Sequence, residues 1–511
     1  MRTSTLQYLY LQKPITMTVI ICMISVLPWL GFSDFSRGEA NEAAIATTML
    51  ESSDFIIPQT ATGEFIYEPP MTHWLMALFS LPQGYLSVYT SRLPSAIAFI
   101  VLVGFVLMFF GKRIAKFQEA FIATLFLITC TLIHKEAMMT HTYMLLTTFI
   151  VLGLFQLFRW EDKLELKGLP PIIPILLGCA VLTKGVIGMA LPLFVFGIYL
   201  LMLRKYKLLT VFKALFYMAI SSSFLPLLWY VAVWQQKGAG FVDIVFAKDF
   251  FYFFNLNGII PEYNFGYCIG NLLASFIPWT LFFLFSLFGL TLHVPEKSIK
   301  EILKDAWRQV LSLEKVRLFS LVAVVCMLFF YFIPGNKQNV YLMSAYPFIA
   351  LFLAQYALYL TEYRTKVTRV YAIFIAGASL IGLIVIVLTA LKAIDPVATI
   401  SQHTNNQSII HIIQLVCYKF VSPSLLTILL IVIIASSVIA VFYQIFKKIN
   451  IKILYTTILL TFTLNLFIDG VIIPSIRNKN PNRSIPLAIS KESPSDKEYN
   501  KTFETTSVVN N

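Results

Sequence analysis

The sequence predicts an all-α polytopic membrane protein, and three observations carry that expectation. Of 511 residues, 58% are hydrophobic and only 13% charged, with a mean hydropathy of +0.77. An ordinary globular chain is roughly one quarter charged. Apolar runs long enough to cross a bilayer recur from end to end, and the basic residues between them alternate in density from loop to loop. Together these exclude a soluble enzyme, a disordered chain and a peripheral protein with one anchor.

A spanning helix needs about 20 mostly apolar residues. Such runs lie near 16–33, 93–111, 119–133, 138–158, 171–183, 186–203, 208–234, 269–292, 316–334, 338–360, 367–391, 423–446 and 453–474, which makes about thirteen spans. The first has no small-residue cleavage site behind it and reads as a retained helix. Thr183-Lys184-Gly185 interrupts a 33-residue stretch that is long for one helix and short for two, so short or broken helices are expected there. No internal repeat is evident. Residues 1–474 form the transmembrane unit, and 475–511 a polar Asn/Ser/Lys-rich tail expected to be poorly ordered.

With the N-terminus inside, the loops near 112–116, 159–167, 204–213, 297–317, 364–369 and 447–452 hold 22 Lys and Arg. The opposite loops hold about nine, which is the positive-inside asymmetry. The rule predicts a cytoplasmic 293–317 and outward-facing loops 34–92 and 235–268. It also accounts for the net charge of +13, since the basic residues form no stripe with interleaved aromatics for nucleic acid. Cysteines 22, 130, 179, 268, 326 and 417 form no CxxC pair, and the six histidines form no HExxH, so neither a zinc site nor a disulfide framework is encoded.

The large first external loop carries seven acids between 34 and 68 (Asp34, Glu39, Glu42, Glu51, Asp54, Glu64, Glu68) against one base, Arg37. Segment 39–51 has helical propensity; Ile45 and Met49 fall one turn apart, and Glu39 and Glu42 share a face. Lys184 lies at the external end of an apolar segment, where a bare ammonium is costly unless it meets an anion, and a phosphate is a natural partner. Lys337, in Pro334-Gly335-Asn336-Lys337, follows the same logic. Arg92, opening the second span, pairs with the acidic loop or with a lipid phosphate, structural use being the stronger reading. His73 reads as a packed, hydrogen-bonded histidine.

The wording of the loop is RGEANEAAIATTMLESSDFIIP, then TGEFIYEPPMTHWLMALFSLP, then TSRLPSAIA; later come AVLTKGVIGMALPL, WYVAVWQQ, PWTLF and NKQNVYLMSAYPFIA. This ordered set, over roughly residues 15–360, resembles the aminoarabinose transferase and protein mannosyltransferase superfamily, the GT-C glycosyltransferases. The resemblance implies a GT-C-like bundle that transfers a sugar from a polyprenyl-phosphate donor to a lipid, glycan or protein acceptor. The reaction would take place at the outer face of the cytoplasmic (inner) membrane. Leaving lipid phosphate calls for cations, and a hydroxyl acceptor calls for a base; an acceptor phosphate needs none. The expected site is Glu39, Asp34 and Glu68 for the carboxylate, with Lys184, Lys337, Tyr341 and Arg92 for the donor phosphate. Tyr341 matches a site tyrosine of the aminoarabinose branch.

The family's motifs are altered at this site. Its Asp-Glu-x-Arg falls on Gly38, Glu39 and Asn41, its Glu-Lys-Pro-Pro on Tyr67-Glu68-Pro69-Pro70, and its Asp-Met-Leu on Tyr143-Met144-Leu145. A histidine and an arginine of the family fall on Phe250 and Phe253. No cofactor is required by the residues; a divalent cation stays open, although the family's metal-binding acid and histidine are both replaced. Two accounts follow: a divergent transferase, or a member that keeps lipid or protein binding without turnover. A lipid-linked sugar transporter is the alternative from another class, but the single TKG break has no counterpart in a second half.

Overall fold

The computed structural model describes residues 13–60, 62–254, 265–288, 298–332, 339–404 and 406–478. Every apolar run of the sequence holds a helix or a bent helix pair. Among the described residues, seven helices are long and apolar enough to cross a membrane, or up to nine if each of two bent pairs is one span. Shorter apolar helices add Pro14–Trp29, Ile172–Lys184, Ile187–Met202 and Gln407–Val421. The chain is a multi-pass, all-helical membrane protein; its only described β contact is an isolated bridge between Gln59 and Phe65. Within the stretch expected as loop 235–268, the residues Ala239–Phe254 are helical.

The two bent pairs explain each other. Helix Phe117–Thr129 breaks at Cys130 and resumes as Thr131–Ala137 with a 63° bend, and Ile269–Ser275 turns by 116° into Trp279–Leu287. Backbone groups released by a break in an apolar setting must find partners, and here they find one another. Thr131 donates to Ile277 O through its backbone N (3.1 Å) and its Oγ1 (2.9 Å), and Trp279 Nε1 donates to Thr129 Oγ1 at 3.0 Å. The bend at Cys130 carries the chain into the turn between Ala137 and helix Tyr143–Leu164, which holds His141.

The interruption at Thr183-Lys184-Gly185 is a hairpin. Gly185 sits at φ 73°, and helix Ile187–Met202 folds back so closely that a Cβ at Gly188 would fall 2.3 Å from Ala180 C. Only glycine permits that approach. Lys184 is left at the tip, as the last residue of its helix.

Charged side chains collect at the two ends of the bundle. At one end Lys205 pairs with Glu165 (3.1 Å) and buried Glu161 (3.5 Å), Lys315 with Asp162 (3.1 Å), and Arg317 with Glu119 (2.8 Å). Loops that the charge rule assigns to one side therefore meet. The acidic first loop lies at the other end, because helix Val88–Gly111 begins near Arg92 and runs 24 residues, roughly 36 Å at 1.5 Å per residue, before Lys112. Between the ends the core is aromatic and aliphatic, with Phe109 stacked on Phe155 at 3.9 Å. Helix Leu208–Lys237 instead presents Phe212, Phe216 and Phe224 outward, as a lipid-facing helix does.

Candidate functional site

The site begins at the N-terminus of helix Arg37–Ser52. Ser36 and Glu39 form a capping box, in which Ser36 N donates to Glu39 Oε2 at 2.9 Å. The same carboxylate is gripped by Arg92, Nε to Oε1 at 2.8 Å and Nη2 to Oε2 at 3.1 Å, and by Arg477 Nη1 at 3.0 Å. Glu39 is 0% exposed and Arg92 1%. Burial pushes the Glu39 pKa up, but Arg92, the Ser36 amide and Arg477 outweigh it and hold it below its usual value.

Arg92 has no donor left for a lipid phosphate. Its remaining N–H groups go to Leu30 O (2.7 Å), Ser33 O (2.9 Å) and Asp34 O (3.2 Å). Glu39 is likewise sealed from any substrate in this conformation. Both residues fix the path of the first loop, and Asn478 joins them: it accepts from Asp34 N and donates to Phe32 O, each at 2.9 Å. The residues just past 474 are thus helical and docked, and the rest of the expected tail lies outside the described residues. Asp34 is half-buried.

One turn further along, Glu42 Oε2 meets His73 Nε2 at 2.8 Å; the histidine is 2% exposed and the acid 28%. His141 Nδ1 lies 2.9 Å from Glu136 Oε2, with side-chain exposures of 27% and 3%. Its Nε2 faces the backbone of Gly38, where an added Cβ would stand 3.5 Å away. Lys184 Nζ lies 3.0 and 3.1 Å from the two oxygens of Glu68. Burial pushes Glu42 up, but the His73 hydrogen bond and the fields of His73, Lys184 and His141 outweigh it, so its pKa is lowered. Burial pushes His141 down, but the bond to Glu136 and the fields of Glu136, Glu39 and Glu42 outweigh it, so its pKa is raised.

Of the sequence-predicted residues, the structure brings together Lys184 with Glu68, and Glu39 with Arg92. Lys337 lies outside the described residues, as do the side chains of Tyr341, Phe250 and Phe253. Sequence reading missed Glu136, His141 and Arg477 and gave Glu42 no role. The spacing of Glu42 four residues after Gly38 was a usable signal; the Arg477 contact, from the far end of the chain, had none. The residues present do not fit a resident divalent cation: Glu68 is taken by Lys184, and no three His, Cys, Asp or Glu converge among the described residues.

The sequence matches no protein-family model and no curated relative. Among solved structures, the fold resembles ArnT from Cupriavidus metallidurans bound to undecaprenyl phosphate, with TM-score 0.66 and 15% identity over 91% of this chain and 78% of that one. The apo form of ArnT gives 0.64 with the same identity and coverage. The chain has the fold seen in ArnT. A more distant likeness is to the Archaeoglobus fulgidus oligosaccharyltransferase AglB, solved with an inhibitory peptide and a dolichol-phosphate, with TM-score 0.43 and 12% identity over 71% of this chain and 52% of that one. On this scaffold the acidic first loop, the Lys184 hairpin tip and the His141 turn converge at one end.

Proposed function

We propose that the chain transfers a sugar from a polyprenyl-phosphate donor to an acceptor at the outer face of the cytoplasmic membrane. The observation that carries this reading is Lys184: a partly exposed ammonium at a hairpin tip between two apolar helices, held by a surface acid and acting on the same Glu42 carboxylate as His141. An ammonium between two apolar helices suits a lipid-linked anion, and ArnT of the same fold was crystallised with undecaprenyl phosphate. Lys184 takes the carrier phosphate, Lys337 and Tyr341 are further candidate contacts from the sequence, and Glu68 releases the ammonium when phosphate arrives. Asp34, half-buried at the start of the first loop, is the further candidate carboxylate. The positive-inside asymmetry supports the outward orientation.

The test is a transfer and hydrolysis assay on purified, reconstituted protein with undecaprenyl-phosphate donors carrying several sugars, wild type beside Lys184→Ala and Asp34→Asn. Transfer by the wild type and its loss in Lys184→Ala are expected. A wild type that binds undecaprenyl phosphate yet transfers from no donor overturns the reading in favour of a lipid-binding protein without turnover.

A further inference from the structure

We infer that His141 is the general base of this transfer and that Glu136 is its positioning residue, so that the acceptor's nucleophile is a neutral hydroxyl. The inference rests on the transfer reading above and adds the chemistry of the acceptor. A carboxylate at Nδ1 requires the proton there, which leaves the lone pair of the neutral ring on Nε2. That nitrogen makes no hydrogen bond among the described residues, the side chain is 27% exposed, and the backbone it faces carries no side chain because residue 38 is glycine. The other paired histidines differ. His73 and His134 also meet a carboxylate, at 2.8 and 2.6 Å, but each has its second nitrogen walled off in the interior without a partner. Only His141, of these three, combines a fixed tautomer with an open nitrogen.

The surroundings are set by Glu39 and Glu42 from helix Arg37–Ser52, by Lys135 at 4.0 Å from Glu136 Oε1, and by the Tyr143 ring at 5.7 Å. Lys184 and Arg477 act on this group through Glu42 and Glu39. With acids dominating, the ring keeps its proton to higher pH than an ordinary histidine, so the base form is gained as pH rises. In the step itself the acceptor O–H proton passes to Nε2 while the acceptor oxygen bonds to the anomeric carbon. The bond from that carbon to the carrier phosphate oxygen breaks, its electron pair stays on the phosphate beside Lys184, and the imidazolium then gives its proton to water.

The experiment is single-turnover transfer by the full-length reconstituted protein from undecaprenyl-phosphate donors carrying a hexose, an aminopentose or an N-acetylhexosamine. Octyl glucoside and water serve as hydroxyl acceptors. His141→Ala should lower the rate by roughly 10²–10⁴-fold with undecaprenyl phosphate affinity unchanged, His141→Gln should do the same, and added imidazole should restore part of the His141→Ala rate. The acid limb of the wild-type pH profile should lie above 6.5, the ordinary histidine value, and Glu136→Gln, which keeps an acceptor at Nδ1 but removes the charge, should move it down. Full turnover in His141→Ala, or a loss matched by lost phosphate binding and not rescued by imidazole, overturns the base and leaves the transfer reading intact. A wild type inert with every donor overturns both.

Discussion

Replacing Glu39 with glutamine separates a structural carboxylate from a chemical one. The side chain receives four hydrogen bonds, two from Arg92, one from Arg477 and one from Ser36 N. An amide oxygen in the place of Oε2 retains the bonds to that atom in weakened form, and the amide NH₂ then faces Arg92 Nε, donor against donor. Two guanidiniums also lose their counter-charge, one of them fully buried. Hydrogen bonds to charged groups contribute about 1.5–3 kcal/mol each, and breaking a buried pair from one side costs about 3–5 kcal/mol; the latter is the expected loss. Equilibrium denaturation in detergent micelles measures it. The pH dependence gives an internal check. Because the folded pKa lies below the ordinary 4.5, the stabilisation is present above that value and is lost as pH falls through the folded one. The gap between wild type and Glu39→Gln should therefore close only in acid below pH 4.5. A variant with wild-type stability and transfer reduced by roughly 10²–10⁴ would refute this reasoning and make Glu39 the base.

Lys184→Ala should weaken undecaprenyl phosphate binding by about 10- to 100-fold, the worth of one charge-assisted bond, whereas Glu68→Gln should tighten it by removing the competing anion; equal affinities in all three proteins favour a lysine that merely reaches for water. In a cysteine-free background, an impermeant thiol reagent in intact cells should label Thr62→Cys and spare Lys304→Cys, and the reverse pattern inverts the proposed active face. Gly188→Ala should cost at least about 1–3 kcal/mol, since its Cβ meets the Ala180 backbone at 2.3 Å; unchanged melting shows that the hairpin packs less tightly. Gly38→Asp should stabilise the helix start by a few tenths to about 1 kcal/mol while raising the His141 pKa further and shifting the acid limb of transfer upward, and an unshifted limb means that Nε2 is not reached from position 38.

The spans were legible because length and hydropathy decide what crosses a bilayer, and the TKG interruption was legible because a lysine does not sit mid-span without a reason. The two bent helices were not: Thr129-Cys130-Thr131 carries no proline or glycine, and its break is balanced by Ile277 and Trp279, some 150 positions away. The first loop was read as acidic, but the sorting of its acids depends on partners from other helices. Glu39 became an anchor because Arg92 and Arg477 reach it, and Glu42 stayed half-open because only His73 does. His141 escaped notice since Glu136 lies five residues before it, a spacing that matters only once the turn between two helices folds.

Glu39, Glu42, Glu68 and Glu136 at this end of the bundle each hold a basic partner, and these pairs divide by exposure. Arg92 with Glu39 and His73 with Glu42 are the inner pairs, their basic members 1% and 2% exposed. Lys184 with Glu68 and His141 with Glu136 are the outer ones, with basic members 19% and 27% exposed. A sealed cation is spent on holding the loop, since moving it strands a buried charge. An exposed one can exchange its partner for a substrate at little cost. The two outer cation-forming groups are also chemically distinct: an ammonium that donates hydrogen bonds suits a leaving phosphate, and an imidazole with a partly exposed side chain suits a hydroxyl proton. That division leaves anchoring to the inner pairs and the proposed chemistry to the outer ones, Lys184 and His141, which share the end of the bundle where the first loop starts.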